Sequence, residues 1–219
     1  MKSKLTKKLN RLLIIIIILL FCNRIHAQTK NNGLIISGIA SHYIHKQNYR
    51  EDTRGYYNYP VDPGFEILYF RKIRETVYLG AGYNYQTGRI ASVVDFIMRF
   101  QFSEQNLPIV IRKEFSIKEK TYWFSSSGFY FGRNETTRVE SLKKNGNWSP
   151  PFDMELVANY YDDNNFIDFY IDTGFCYSLN NWSEISTSAF LKYRIDKTWL
   201  NYHESRTHYG IKLSYNLKF

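Results

Sequence analysis

Four of the five histidines stand near carboxylates at two places far apart in the chain. His42 and His45 precede Glu51 and Asp52; His203 and His208 bracket Glu204. Imidazole nitrogen and carboxylate oxygen together suit Zn, Cu or Ni. His42, His45, His203 and His208 therefore form a candidate metal site, provided the fold brings the two stretches to one place. His208 beside Ser205 or Glu204 also has the residue types of a hydrolase or acyltransferase: a base, a nucleophile and a carboxylate. The plainer reading is of solvated histidines at the bases of loops.

A second set of charges recurs at alternate positions: Arg112 and Glu114, Asp168 and Asp172, Glu184, Lys192 and Arg194, Lys212 and Lys218. Their spacing asks what kind of element carries them. In IDFYIDTGFCYSL, Ile167, Phe169, Ile171, Thr173, Phe175, Tyr177 and Leu179 share one face, and Asp168, Tyr170, Asp172, Gly174, Cys176 and Ser178 the other. Asn180-Asn181 then signals a tight turn. In the next run Ile185, Thr187, Ala189, Leu191, Tyr193 and Ile195 oppose Glu184, Ser186, Ser188, Phe190, Lys192 and Arg194. The closing stretch YGIKLSYNLKF keeps the same two-residue period to Phe219. Strands this long, each with one greasy and one polar face, suit a tilted membrane strand.

The ends and totals agree. Lys2, Lys4, Lys7, Lys8 and Arg11 precede the unbroken apolar run Leu12 to Cys22. That run is too short to span a bilayer as a helix and has the layout of a signal-peptide core, with Ala27 at the expected cut. Lipoprotein processing at Cys22 competes, but Phe21 fits it poorly. Residues 1–27 are thus expected to be a cleavable signal peptide and 28–219 a single domain. Six of the 29 basic residues and none of the 20 acidic ones lie in that leader. The remainder is close to neutral, which gives nucleic-acid binding no support. Cys176 would then stand alone, excluding an intrachain disulfide. Aromatic residues make up 18% of the chain, yet mean hydropathy is below zero. That combination belongs to a transmembrane β-barrel, in which only alternate residues meet lipid and aromatic girdles mark both interfaces.

Further strands are expected at 33–44, 64–72, 77–85, 107–112 and 122–132. Short turns fall at 73–75, 116–120 and 179–182, and long polar connections at 45–62, 87–95, 134–164 and 196–206. Three turns and four long connections make eight strands. The alternation at 96–102 and 152–160 reads as strand extensions into the long connections; a turn at Ser103 to Asn106 would instead make ten strands. The fold expected is all-β: a closed antiparallel transmembrane β-barrel of the outer membrane, eight strands with ten as the alternative.

The sequence NLPIVIRKEF, followed by a turn and YWFSSSGFYFG, resembles the corresponding section of the PorT-like outer-membrane β-barrel family of Bacteroidetes; the IDTGFCYSL strand and the closing strand also fit. Leu107-Pro108-Ile109 and the charged Arg112-Lys113 depart from the usual family pattern. The resemblance implies an eight-stranded barrel and no single activity, with a secretion role as a weaker implication. The terminal strand ending on Phe219 resembles the assembly signal by which outer-membrane proteins engage the barrel-assembly machinery.

Eight strands enclose only enough room for side chains, so the inward charges are expected to pair as a polar plug; a proton or solute path is the alternative. The functional expectation is a small barrel with a structural, binding or secretion and envelope-accessory role. It is expected to have no open pore, no cofactor and no catalytic site. A lipid-modifying hydrolase or acyltransferase at the rim is the runner-up. Expected partners are outer-membrane lipid and an envelope or secretion complex. Arg133, Arg138, Lys143 and Lys144, with Trp148, Asp162 and Asp163, form a further candidate surface for a partner or for anionic sugars.

Overall fold

Two-residue alternation leaves a chain no way to bury its apolar side chains as a helix, and it forms strands throughout the described residues. The structure is a computed structural model that describes residues 31–44, 61–93, 97–141, 165–195 and 207–219. Eight strands follow in order: β1 Asn32–Ile44, β2 Asp62–Arg74, β3 Val77–Val93, β4 Ile97–Lys118, β5 Thr121–Ser141, β6 Asn165–Ser178, β7 Ser183–Arg194 and β8 Thr207–Lys218. Each pairs antiparallel with the next, and β8 closes on β1 through a register running from Gly33↔Lys218 to Ile44↔Thr207. The seam continues one step further, with Asn32 and Phe219 exchanging backbone hydrogen bonds of 3.1 and 2.9 Å. Closure leaves no sheet edge around the barrel, which is what lets strands cross lipid at all.

Tight turns join the strands at one end, at Glu75–Thr76, Glu119–Lys120 and Leu179–Trp182. In the last, the Asn180 Oδ1 atom accepts from the backbone N–H groups of Trp182 at 2.8 Å and Ser183 at 2.9 Å. An Asn side chain standing in for backbone in this way makes the reversal. The short-turn end is the periplasmic end in barrels of this kind.

The alternation sorts as expected on β6, β7 and β8. Ile171, Phe175, Ile185, Leu191, Ile211 and Leu213 are exposed on the outer wall, while Asp168, Glu184, Lys192, Arg194 and Lys212 are buried inside. Such a wall is a surface for hydrocarbon, not water. Midway down the interior sits an apolar cluster of Ile35, Ile39, Leu68, Phe70, Val110, Tyr130, Tyr170 and Phe190. Glycine lets neighbouring strands approach where the barrel curves. A Cβ on Gly128 would collide with the Ile109 carbonyl, and one on Gly174 with that of Thr187.

The eight-strand expectation holds, its ten-strand alternative falls, and two expected connections shorten. Ser103 to Asn106 is not a turn: β4 pairs on through it, with Ser103↔Thr87 on one side and Asn106↔Gly132 on the other. Glu104 and Asn106 are buried; a polar run that looks like a turn is a stretch of strand facing a polar interior. Eight strands result. The connections at 87–95 and 134–164 are also shorter than expected, because β3 continues to Val93, β4 begins at Ile97 and β5 continues to Ser141. Arg133 and Arg138 therefore belong to β5. The alternation at 97–102 is a strand extension, as expected. The leader 1–27, the 152–160 alternation, Lys143, Lys144, Trp148, Asp162 and Asp163 lie outside the described residues.

Candidate functional site

Every inward charge singled out from the sequence points inside, and most meet a partner from a distant strand. The centre is Lys212 of β8. Its Nζ lies 2.5 Å from Glu66 Oε1 on β2 and donates to the Tyr170 hydroxyl at 2.7 Å and the Tyr130 hydroxyl at 3.3 Å. Tyr130 in turn donates to Glu66 Oε2 at 2.5 Å, and Asn84 Nδ2 donates to the same oxygen at 3.2 Å. The Tyr130 and Tyr170 rings lie 4.6 Å apart between centroids. An ion pair so fully removed from water persists only when its remaining lone pairs and protons are also met, and here two phenols and an amide meet them.

Towards the long-connection end the network continues. Lys192 donates to Gln86 Oε1 and, at 3.3 Å, to Asn84 Oδ1, which also accepts from Asn106 Nδ2 at 2.9 Å. Gln86 Nε2 donates to Ser41 Oγ at 3.3 Å. Arg194 joins three strands: Nε to Asp168 Oδ1 at 2.8 Å, and Nη2 to Asp168 Oδ2 at 3.3 Å and Glu104 Oε1 at 2.8 Å. Its guanidinium lies 3.5 Å from the centroid of the Phe166 ring. Planar two-oxygen recognition of this sort is the strongest ion-pair geometry a side chain offers.

Towards the short-turn end the arrangement loosens. Glu184 accepts from Lys218 at 2.5 Å, Ser178 at 3.1 Å, and Tyr122. Arg112 lies 3.7 Å from the Phe124 ring centroid and pairs with Glu114 at 3.2 Å, but its Nη2 has no hydrogen-bond partner within the protein. Asp172 Oδ1 and Asn216 Oδ1 are in the same position, as are Glu104 Oε2 and Asn106 Oδ1 nearer the long-connection end. Between Arg112 and Lys212 the wall is lined by Ser37, Ser126, Ser186, Ser188 and Ser214. These short side chains leave space for about one or two water molecules. The interior is a polar plug, closed at mid-depth, with a small serine-lined space below.

Glu66, Asn84, Gln86, Glu104, Asn106 and Tyr130 belong to this network and were not singled out from the sequence. The signal was faint. In GFEILYFRK the inward Gly64, Glu66, Leu68 and Phe70 are as apolar as the outward Phe65, Ile67 and Tyr69, so polarity cannot tell the faces apart.

The histidines are placed differently from the charges. His42 pairs in register with Tyr209, its ring edge-on at 5.9 Å, and Tyr209 is exposed on the outer wall. His208 is buried inside, opposite Lys192 and edge-on to Phe190 at 5.7 Å. The strands are neighbours, as expected, but the two rings stand on opposite faces of the sheet. His45, His203, Glu204 and Ser205 lie outside the described residues. Among the described residues no three His, Cys, Asp or Glu side chains gather into a ligand set.

No family model and no curated protein matches the chain. Solved structures do. Neisserial surface protein A (NspA) aligns with a TM-score of 0.57 at 10% identity, over 86% of this chain and 97% of that one. The N-terminal β-barrel domain of Pseudomonas aeruginosa OprF (TM-score 0.45, 10% identity) covers 86% and 98%. Ail of Yersinia pestis, solved with the heparin analogue sucrose octasulfate (0.45, 10%), covers 86% and 97%. At such identities the likeness to NspA is one of fold. Closed topology, apolar wall and polar interior define the chain as a small eight-stranded outer-membrane β-barrel.

Proposed function

We propose that the barrel is a sealed scaffold of the outer membrane that holds its long connections outward as an accessory of a secretion or envelope complex. The observation that carries this is the mid-depth closure by Lys212, Glu66, Tyr130 and Tyr170, each almost wholly buried. A solute would have to strip several hydrogen bonds from a desolvated ion pair to pass, so the barrel's work is done at its surfaces. The resemblance of residues 106–132 and the closing strand to PorT-like barrels supports the secretion association. Export behind a cleaved 1–27 leader and insertion by the barrel-assembly machinery through β8 belong to the same proposal.

The test is affinity isolation from the native membrane in mild detergent, with planar-bilayer recording of the purified barrel. A stable envelope or secretion partner and no unitary conductance are expected. Recovery of the barrel by itself overturns the accessory role, and steady single-channel steps overturn the seal.

A further inference from the structure

The outer wall at the short-turn end is electrically lopsided. Around the β6–β7 turn and the adjoining β8, the exposed residues include Tyr177, Leu179, Asn180, Asn181, Trp182, Ile185 and Tyr215, without a charged side chain among them. Aromatic and aliphatic side chains of that kind are enough to seat a barrel at a lipid interface. On the arc from β2 to β5, however, Arg71, Arg74, Lys113, Lys118 and Lys120 are all exposed, against only Glu75 and Glu119.

Three of these cations are gathered by the sheet itself. Arg71 pairs with Leu79 of β3, while Arg74 pairs with Val77, which pairs in turn with Lys113 of β4. Two strand spacings separate β2 from β4, roughly 10 Å, a gap that the long Arg and Lys side chains span over the apolar floor of Val77 and Leu79. Arg74 reaches this face only because the register shifts between Lys72 and Arg74. In an unbroken strand Lys72 and Arg74 would share a face, and Lys72 pairs with the inward Tyr78. The extra residue, Ile73, turns Arg74 outward, which is the characteristic effect of a β-bulge. Beside the cluster stand the interfacial rings of Phe115 and Trp123, stacked at 5.2 Å, with Lys113 Nζ 5.1 Å from the Phe115 centroid. Among the described residues none of Arg71, Arg74 and Lys113 forms an ion pair, whereas Arg112, Arg194, Lys212 and Lys218 of the interior do.

We infer that Arg71, Arg74 and Lys113 form a binding site for the phosphate of an anionic phospholipid in the periplasmic leaflet, with Phe115 and Trp123 bordering it at the interface. The ligand follows from charge and position. The cluster is cationic, faces lipid rather than the lumen, and stands where the apolar wall gives way to the turns, at headgroup depth. Guanidinium groups match phosphate oxygens two at a time, and the ammonium adds a point charge. An acidic segment of a periplasmic protein is the competing occupant. The inference does not depend on the accessory role proposed above.

The experiment uses the full barrel in nanodiscs of phosphatidylethanolamine with a minor fraction of phosphatidylglycerol. Lipids retained by the protein are counted by native mass spectrometry, in the parent and in R71Q/R74Q/K113Q. Heat-modifiable migration on gels confirms that each variant is folded. The parent is expected to retain phosphatidylglycerol in preference to phosphatidylethanolamine, and the variant to lose about tenfold of that preference, since each interfacial cation adds on the order of a few-fold. Rising salt should erode the preference in the parent. Equal retention by the folded variant and its parent overturns the site. So does a variant that keeps the lipid preference but loses an acidic protein partner.

Discussion

Among the described residues two arginines are buried, and they are buried differently. Arg194 lies against Phe166 and spends its guanidinium on Asp168 and Glu104, in contacts of 2.8 to 3.3 Å from two other strands. Arg112 lies against Phe124 at a similar distance but has one carboxylate, Glu114, only two residues along its own strand. The ring contacts are alike, so what differs is the source of the acceptors. Near Arg194 the acceptors are protein atoms, and they tie β4, β6 and β7 together. Near Arg112, serines replace larger side chains and leave a space large enough for water. A guanidinium can thus be housed in a narrow barrel either by cross-strand pairing, which also seals it, or by hydration, which leaves it open to one side.

The sharpest way to break that contrast is to remove each cation in turn. Arg194→Met leaves Asp168 and Glu104 buried without their counter-charge and should cost about 3–5 kcal/mol, read from urea unfolding in lipid vesicles by tryptophan fluorescence. Lys212→Met should fall in the same range, about 3–5 kcal/mol, because Glu66 is left stranded. Adding Glu66→Leu should then recover most of that loss. A buried pair replaced by apolar residues of similar size is often neutral, whereas a broken one is not. Arg112→Met should cost less, about 1–2 kcal/mol, since Glu114 still has Lys218 at 3.9 Å and water on hand. Equal losses for Arg194→Met and Arg112→Met would erase the distinction.

How much of this could be read from the chain depends on where in the barrel one looks. On β6, β7 and β8 the inward face is polar and the outward face apolar, so period and polarity agree, and every charge was assigned to its side. β2 fails because the apolar cluster inside the barrel draws Leu68 and Phe70 inward. Polarity then stops reporting the face, and Glu66, the partner of Lys212, goes unseen. The Ser103 to Asn106 stretch fails for the opposite reason: Glu104 and Asn106 are polar because the lumen is, and a lumen-facing run looks like a turn. The histidines show a third limit. Knowing that β1 and β8 are neighbours does not give the parity of their register. A pairing of His42 with Tyr209 rather than with His208 puts the two rings on opposite sides of the wall. No local property of either strand contains that one-residue choice; it is set by how the whole barrel closes.

The finest test of the contrast between the two halves uses serines. Ser41, in the upper half, donates to the Asp62 carbonyl at 3.0 Å and accepts from Gln86. Ser188 is also buried, but it lines the serine-walled space below Lys212. Both can be changed to Val, which adds the same volume and removes the same hydroxyl. At Ser41 the added carbon meets packed neighbours and two hydrogen bonds are lost with it. At Ser188 the methyl group enters the space that the serines leave open. The two variants should therefore differ by on the order of 1 kcal/mol, with Ser41→Val the less stable. Unfolding midpoints measured side by side in the same vesicles would resolve a gap of that size. If Ser188→Val proved the more costly of the two, the lower half would be as tightly packed as the upper, and the difference between the two arginines would need another cause.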